Sequence, residues 1–249
     1  MRKLLLIFAC VSCFAGTANA QTVYNAGDLG TAPHPLADAA KSAFLADAAT
    51  VGALQGPIDF ESLALGYASP INIAPGVSVT FAGADPVLSG ITTNAALDIG
   101  FNTTPAGSQF LRFIPNFNEP GSITFSFANP VSAFGGYLTS VESSFGTTTV
   151  TFFDGSNQLF PITGPTGANT QFWGVTDAGR SFSSITFNEI PAASGRDGFG
   201  FDDLYFAIAP STGAVPEPST WAMMLLGFGF IGGAMRGAKR RQKVTARYA

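Results

Sequence analysis

Two periodicities of apolar residues divide the central part of the chain. Residues 36–50 are rich in alanine and carry apolar side chains at positions 36, 40, 43, 44 and 48. This spacing lines one face of an α-helix, so it predicts a single helix ahead of the main domain. From Pro57 onward, apolar and polar residues alternate with a period of two, as in Ile123-Thr-Phe125-Ser-Phe127. That alternation predicts β-strands with one buried face and one solvated face.

About ten short runs of this kind are bounded by turn residues, a spacing that predicts an antiparallel β-sandwich. They cover residues 58–62, 77–81, 96–101, 110–114, 122–127, 131–137, 148–153, 170–175, 182–187 and 201–206. Asp154-Gly155 is the best candidate for a tight hairpin turn. The predicted fold class is mainly β, with one N-terminal helix and one hydrophobic C-terminal helix.

The N-terminal end has the pattern of a secretory signal peptide. A basic start and an apolar run over residues 4–16 precede Ala18-Asn19-Ala20, which places small residues at the two positions that a signal peptidase reads. The mature chain is therefore expected to begin at Gln21. Both cysteines lie in the removed segment, so the mature protein is expected to have no disulfide and no cysteine nucleophile.

The C-terminal end combines a Pro-Glu-Pro tripeptide, a short apolar run and a basic cluster within residues 215–241. The apolar run from Trp221 to Met235 has 15 residues, fewer than the roughly 20 that a helix needs to cross the hydrocarbon core. Basic residues beside an apolar segment hold that end in the cytoplasm. The globular domain is therefore expected outside the inner membrane, with this segment as a transient anchor.

This tail resembles the PEP-CTERM sorting signal of Gram-negative bacteria. The residues that carry the resemblance are Val215, Pro216, Glu217, Pro218, Trp221, Arg240 and Arg241. In that family the tail is the substrate of exosortase, a membrane-embedded cysteine transpeptidase that cleaves near the tripeptide. The resemblance implies export, processing by exosortase, and a final location at the cell surface or in the extracellular matrix.

These patterns predict six segments. They are a signal peptide (1–20), a polar leader with the Ala-rich helix (21–56), the β-sandwich domain (57–207), a linker (208–214), the sorting signal with a short transmembrane helix (215–241) and a basic cytoplasmic tail (242–249).

The exported part is strongly acidic although the whole chain has a net charge of only −4. Between residues 21 and 213 four basic residues stand against 15 acidic ones, a formal net charge of −11. Such a surface repels phosphate backbones and has no basic stripe to release counterions, so nucleic acid is excluded as a partner.

Acidic residues at both ends of the predicted domain suggest a structural calcium ion. Two of them lie in the first predicted strand, and three lie in the last predicted strand or in the segment that enters it: Asp59, Glu61, Asp197, Asp202 and Asp203. First and last strands of a sandwich are often neighbours, so these carboxylates could supply oxygen ligands to a hard cation. This pattern resembles exported bacterial jelly-roll domains of the carbohydrate-binding and lectin type, in which calcium often joins the chain ends. The alternative is that these acids bind backbone amides in turns.

Candidate chemistry beyond calcium is sparse. His34, the only histidine, lies between two prolines, so a Ser-His-Asp arrangement within the sandwich is not expected. If Phe172 points inward, Trp173 points outward and could stack on a sugar ring, although the commoner role of such a tryptophan is that of a core residue under a loop. We therefore expect a non-catalytic binding or structural protein associated with extracellular polysaccharide and biofilm. The alternative is a polysaccharide hydrolase or lyase that uses paired carboxylates.

Overall fold

The computed structural model describes residues 21–93, 95–96, 99–142, 144–153, 159–162, 168–193, 195–210 and 218–242. It divides the chain into two compact units, Met1–Pro210 and Ser211–Ala249. The first unit contains twelve strands and one helix in the described residues, and the second contains one helix. The predicted mainly β class, with a helix near each end, is confirmed.

The elements follow one another along the chain in this order: β1 (Gln21–Leu29), α1 (Pro35–Val51), β2 (Ala53–Ile58), β3 (Ile71–Ala74), β4 (Val77–Ala82), β5 (Gly90–Thr92), β6 (Phe110–Phe113), β7 (Gly121–Thr139), β8 (Gly146–Phe153), β9 (Leu159–Ile162), β10 (Asn169–Asp177), β11 (Phe182–Pro191), β12 (Phe199–Ile208) and α2 (Pro218–Gln242).

Strand β7 joins the two halves of the sandwich because it is 19 residues long and takes part in both. Its first half pairs with β4 and β11, and its second half pairs with β10 and β12. The first sheet therefore has the order β3-β4-β7-β11-β8-β9, and the second contains β1, β10, β7, β12, β2, β6 and β5. All of these pairings are antiparallel.

Aromatic rings fill the space between the two sheets. Phe125 of the first sheet lies 5.1 Å from Phe134 of the second, and Phe187 lies 4.9 Å from Phe201, measured between ring centroids. The residues between them on each strand point away from this core, which is why the period of two was visible in the sequence. Edge-to-face ring contacts of this kind add to the burial of apolar area.

Helix α1 covers the outer face of the second sheet. The ring of Phe44 packs against Phe172 of β10, with 5.4 Å between centroids. It fits because Gly135 and Gly174 face each other beneath it, and a Cβ on Gly174 would lie 2.8 Å from the Phe44 ring. Tyr137 extends from the same face of the sheet and donates a hydrogen bond to Asp38 of the helix. This sheet is therefore buried on both sides.

Several local expectations differ from the structure. Residues 21–29, expected as part of a polar leader, form β1 and pair along their whole length with β10. The two runs predicted within 122–137 are one strand, β7, and residues 96–101 show a single bridge between Ala96 and Gly100 in their described part. The predicted turn at Asp154-Gly155 lies outside the described residues.

Candidate functional site

The first and last predicted strands of the domain are neighbours, as expected. Strand β2 pairs with β12, with Ile58 opposite Leu204. This pairing brings Asp59 and Glu61 to the same end of the second sheet as Asp202 and Asp203. Four of the five predicted calcium ligands therefore lie in one region of the fold.

Asp202 binds the loop that precedes β6. Its Oδ2 accepts hydrogen bonds from the backbone N–H groups of Thr103 and Thr104, at 2.6 and 3.0 Å, and from the hydroxyl of Thr103 at 2.9 Å. Its Oδ1 is buried and has no hydrogen-bond partner among the described residues. Burial, helped by the charge of Asp203, raises the pKa of Asp202 to about 7 against the opposing effect of these hydrogen bonds.

Glu61 holds the other end of the same loop. Its Oε1 accepts hydrogen bonds from the backbone N–H groups of Ser108 and Gln109, at 2.6 and 2.7 Å, and from the side chain of Asn102 at 3.1 Å. The approach requires Gly107, because a Cβ at that position would lie 2.4 Å from Oε1. Asp202 and Glu61 thus bind backbone amides, which is the alternative that the sequence left open beside calcium.

Asp59 and Asp203 complete this acidic region. Asp59 Oδ1 accepts a hydrogen bond from the backbone of Glu61, and Asp203 Oδ1 accepts one from the Thr104 hydroxyl at 2.9 Å. Burial raises the pKa of Asp203, and the charge of Asp59 adds to the effect while Lys41 opposes it. Across the described part of the chain, no three His, Cys, Asp or Glu side chains are grouped in a way that could hold a metal ion.

The fifth predicted ligand, Asp197, lies in a different acidic group. Its Oδ2 accepts a hydrogen bond from the backbone N–H of Glu142 at 2.7 Å, and the charges of Glu142 and Glu189 act on it. Burial, together with the charges of the two neighbouring carboxylates, raises the pKa of Asp197 to about 8. Asp197 is 1% exposed and its Oδ1 has no hydrogen-bond partner in the described structure.

Glu189 is equally enclosed. It is 0% exposed, and its Oε2 accepts a hydrogen bond from the Thr148 hydroxyl at 2.8 Å. Burial raises the pKa of Glu189 to about 7, partly countered by that hydrogen bond. Gly146 leaves room for the carboxylate, since a Cβ there would overlap Oε1. No pattern in the sequence predicted this pair, because Glu189 and Asp197 belong to separate runs.

Trp173 is a core residue, so the expectation of an exposed stacking ring at this position is wrong. It is 1% exposed, stacks on Phe152 with 6.0 Å between centroids, and meets Phe187 edge-to-face at 5.5 Å. Phe172 does point to the opposite side of β10, as alternation requires, but α1 covers that side. The argument failed because it assumed that one face of every strand is solvated.

The outer face of the first sheet carries a continuous set of uncharged polar side chains. They alternate with core residues along β3, β4, β7, β8 and β11, and all are half-buried or exposed. We call this surface the hydroxyl face and define it by Asn72, Ser78, Thr80, Ser122, Thr124, Ser126, Thr147, Thr149, Thr151, Ser184, Thr186 and Asn188.

The side chains of the hydroxyl face are in register across neighbouring strands. Thr80 lies opposite Thr124, which lies opposite Thr186, which lies opposite Thr151. The hydroxyls of Thr124 and Thr186 are 2.9 Å apart, and Asn188 donates to the Thr151 hydroxyl at 3.1 Å. The alternation in the sequence predicted a wet face, but only the strand order shows that the rows coincide.

One end of the hydroxyl face is concave. A groove of about 400 Å³ lies there, and Ser122, Thr149 and Asn188 are among its lining residues. Ala82, Pro120 and Ile190 form apolar parts of its wall. None of the outward side chains that define the face carries a charge. Glu189 also lines the groove, but the outward side chains of the face offer hydroxyl donors and acceptors without an ionised group.

The second unit is described by helix α2, Pro218–Gln242. In the described residues, no helix combines the length and the apolar character needed to span a membrane. Some residues of the predicted motifs lie outside the described part of the chain. They are Ala18 and Ala20 of the predicted signal cleavage site, Val215, and the first two residues of the sorting tripeptide, Pro216 and Glu217.

Comparison with known proteins supports the tail most directly. Residues 214–241 match the PEP-CTERM protein-sorting motif. The motif implies an exported protein with a membrane-anchored precursor. A search among curated proteins gives no match for this chain.

Three solved structures illustrate the likeness of the fold. A bacteriophage CBA120 tailspike protein 4 enzymatically active domain has 16% identity and a TM-score of 0.31, over 53% of this chain and 19% of that one. A family 11 carbohydrate-binding module of a Clostridium thermocellum cellulosomal cellulase has 10% identity and a TM-score of 0.34, over 62% and 94%. A mutant family 29 carbohydrate-binding module complexed with mannohexaose has 10% identity and a TM-score of 0.34, over 59% and 94%. At these values the likeness does not extend to a ligand.

Proposed function

We propose that this protein is a non-catalytic, polysaccharide-binding component of the cell surface or extracellular matrix, associated with exopolysaccharide in a biofilm. The observation that carries the proposal is the hydroxyl face, which presents twelve uncharged polar side chains on an exported domain. Hydroxyl and amide groups can both donate to and accept from the hydroxyls of a sugar. The sorting motif implies export, which supports a location for this surface where polysaccharide is available.

Retention on immobilised polysaccharide tests this function. The exported protein should be delayed on a polysaccharide column without producing new reducing ends during incubation. A matched sample unfolded in urea should pass unretarded, since the hydroxyl rows exist only in the folded sheet. Absence of retention on every glycan tried would contradict a binding role and leave a purely structural surface protein.

A hydrolase or lyase is the second candidate, and the pair Glu189 and Asp197 is the observation that favours it. Raised pKa values are typical of carboxyl groups that act as general acids. Both side chains are buried, at 0% and 1% exposure, so a substrate would reach them only after the surrounding segments moved. New reducing ends that disappear in Glu189→Gln would establish the enzyme.

We also propose processing at both ends of the chain. Signal peptidase would cleave after Ala20, the segment before the basic tail would anchor the precursor in the inner membrane, and exosortase would then cleave near the tripeptide. Intact-mass measurement on protein extracted from the cell surface should show Gln21 at the start and no residues beyond about 220. A mature species that still contains Arg240 and Arg241 would be incompatible with exosortase cleavage.

Calcium beside Asp202 and Asp203, in the middle of β12, remains a proposal. The support for it is the unpartnered Oδ1 of Asp202 beside the charges of Asp203 and Asp59. A bound ion stabilises the fold by about 2.7 kcal/mol at a hundredfold excess over its dissociation constant. Removing calcium with a chelator should therefore lower the melting temperature by several degrees, and Asp59→Asn should reduce that effect. An identical melting temperature with and without the chelator would leave these acids as ligands of backbone amides only.

A further inference from the structure

The hydroxyl face contains one complete row that crosses four adjacent strands. Thr80 of β4, Thr124 of β7, Thr186 of β11 and Thr151 of β8 are consecutive partners in the strand register. Neighbouring strands are about 4.8 Å apart, and successive outward residues on one strand are about 6.7 Å apart. The row is therefore a line of threonines with one hydroxyl at each strand crossing.

Two further rows flank the threonine row. Ser78, Ser126 and Ser184 are partners on one side, and Ser122, Asn188 and Thr149 are partners on the other. A ligand lying along the central row would thus meet polar groups along both of its edges. The interstrand spacing of about 4.8 Å is close to the length of one pyranose residue, so each sugar in an extended chain would meet one strand.

We propose that the hydroxyl face binds a single neutral glycan chain that lies across the strands along the threonine row, one sugar residue to each strand. This inference rests on the proposed polysaccharide-binding function and specifies its ligand. The chain would exchange hydrogen bonds between its hydroxyl groups and the threonine, serine and asparagine side chains. Four strands carry the complete row, so the contact covers about four sugar residues.

The negative charge of the exported domain favours binding of a neutral glycan chain over an acidic one. The face itself has no ionised outward side chain, whereas the exported part of the protein carries 15 acidic residues against four basic ones. An acidic polysaccharide would approach a negatively charged protein and find no cation on the face to pair with. Repulsion of this kind is screened by salt, so weak binding of an acidic chain would increase with ionic strength.

The twist of the sheet favours binding of a single glycan chain over binding of a flat crystalline polysaccharide surface. Adjacent strands are rotated by roughly 20 to 25° relative to each other, so the direction of the strands turns by about 60 to 75° across the four strands. A rigid plane could touch only part of such a surface. A single soluble chain can rotate about its glycosidic bonds and follow the row.

Titration with soluble neutral gluco-oligosaccharides of increasing length tests the proposal. Affinity should rise with each added sugar and level off at about four residues, because the complete row ends there. At low salt the protein should bind polygalacturonate more weakly than the neutral oligosaccharides. It should also bind microcrystalline cellulose more weakly than it binds the soluble neutral chain. Stronger binding to polygalacturonate or to the crystalline surface, or affinity independent of length, would overturn the proposal.

The double variant Thr124→Val and Thr186→Val tests the row directly. Valine keeps the shape of threonine, and the change removes both partners of one hydrogen bond, so the fold should be preserved. Affinity for the neutral oligosaccharide should fall about tenfold or more, as expected for the loss of two ligand hydrogen bonds. The matched control is Thr22→Val, an exposed strand threonine of the second sheet, which should bind like the unaltered protein.

The outcomes separate this inference from the general function. If neutral glycan still binds the double variant with full affinity, the row is not the site, although the protein remains a polysaccharide-binding protein. If the unaltered protein binds no glycan, both proposals fail. If the double variant unfolds, the variant Ser126→Ala with Ser184→Ala takes its place. This change removes two hydroxyl groups of the neighbouring row, and it must also lower the affinity for the neutral oligosaccharide.

Discussion

Raising the pH from about 5 to about 9 should lower the free energy of unfolding of the exported domain by several kcal/mol. The main cause is the buried pair Glu189 and Asp197, whose pKa values burial raises to about 7 and about 8, and the buried Asp202 adds an effect of the same sign. In the unfolded chain both groups return to ordinary values, 4.5 and 3.8. Urea unfolding monitored at intervals across this range measures the effect.

The sign follows from where the protons are bound. Below about pH 3 both states hold their protons, so the pair contributes little pH dependence there. As the pH rises, the unfolded state releases them first, and stability falls until the pH exceeds the folded pKa values. Because one pKa unit corresponds to about 1.4 kcal/mol, the displacement at Glu189 alone corresponds to about 3 kcal/mol.

A neutral isostere at Glu189 should reduce this dependence, because Asp197 still titrates. Glu189→Gln keeps an oxygen to accept from Thr148 and cannot ionise, so the variant should be more stable than the unaltered protein near pH 9 and less sensitive to pH. The matched control is Glu119→Gln, at an exposed position, which should leave the pH profile unchanged. A stability that is constant or increases between about pH 5 and about pH 9 would show that the pair is ionised at no cost.

The sequence predicted the parts of the fold that are governed by short-range patterns. The helix at Pro35–Val51 and the alternating strands of the first sheet follow from spacing alone, because each has one face in the core and one in water. The pairing of β2 with β12 followed from a general property of sandwiches. What the pattern could not show was a strand such as β1, whose polar sequence becomes a strand by pairing with β10.

In the candidate site, too, short-range patterns predicted some features, and others depend on contacts between distant parts of the chain. Threonine and serine at alternate positions of β7 and β11 were visible as a wet face, but their alignment depends on register between strands about 60 residues apart. Asp202 was singled out as a metal ligand because it is acidic and late in the domain. Its partners, Thr103 and Thr104, are about 100 residues away in the chain, so only the folded structure shows that backbone amides occupy its Oδ2.

The burial of Trp173 also depends on contacts that the sequence pattern does not show. It leads to a prediction whose effect on the free energy of unfolding is as large as that of pH. Trp173→Ala should lower the free energy of unfolding by about 3 to 5 kcal/mol, the usual range for removing a large aromatic side chain from a core. The cavity would lie against Phe152 and Phe187, which now pack on the indole ring. Trp173→Phe should lower the free energy of unfolding much less, since a smaller ring still fills part of the space.

Comparison with an exposed aromatic residue separates a core role from a binding role. Phe117 is 69% exposed and stacks under Arg196, so Phe117→Ala should change stability by only about 1 kcal/mol. Urea unfolding gives the stabilities, and retention on neutral polysaccharide gives the binding. Trp173→Phe should retain full binding because the ring lies inside the sandwich, away from the hydroxyl face. A variant at Trp173 that keeps its stability and loses glycan binding would return this residue to the ligand site and contradict the core assignment.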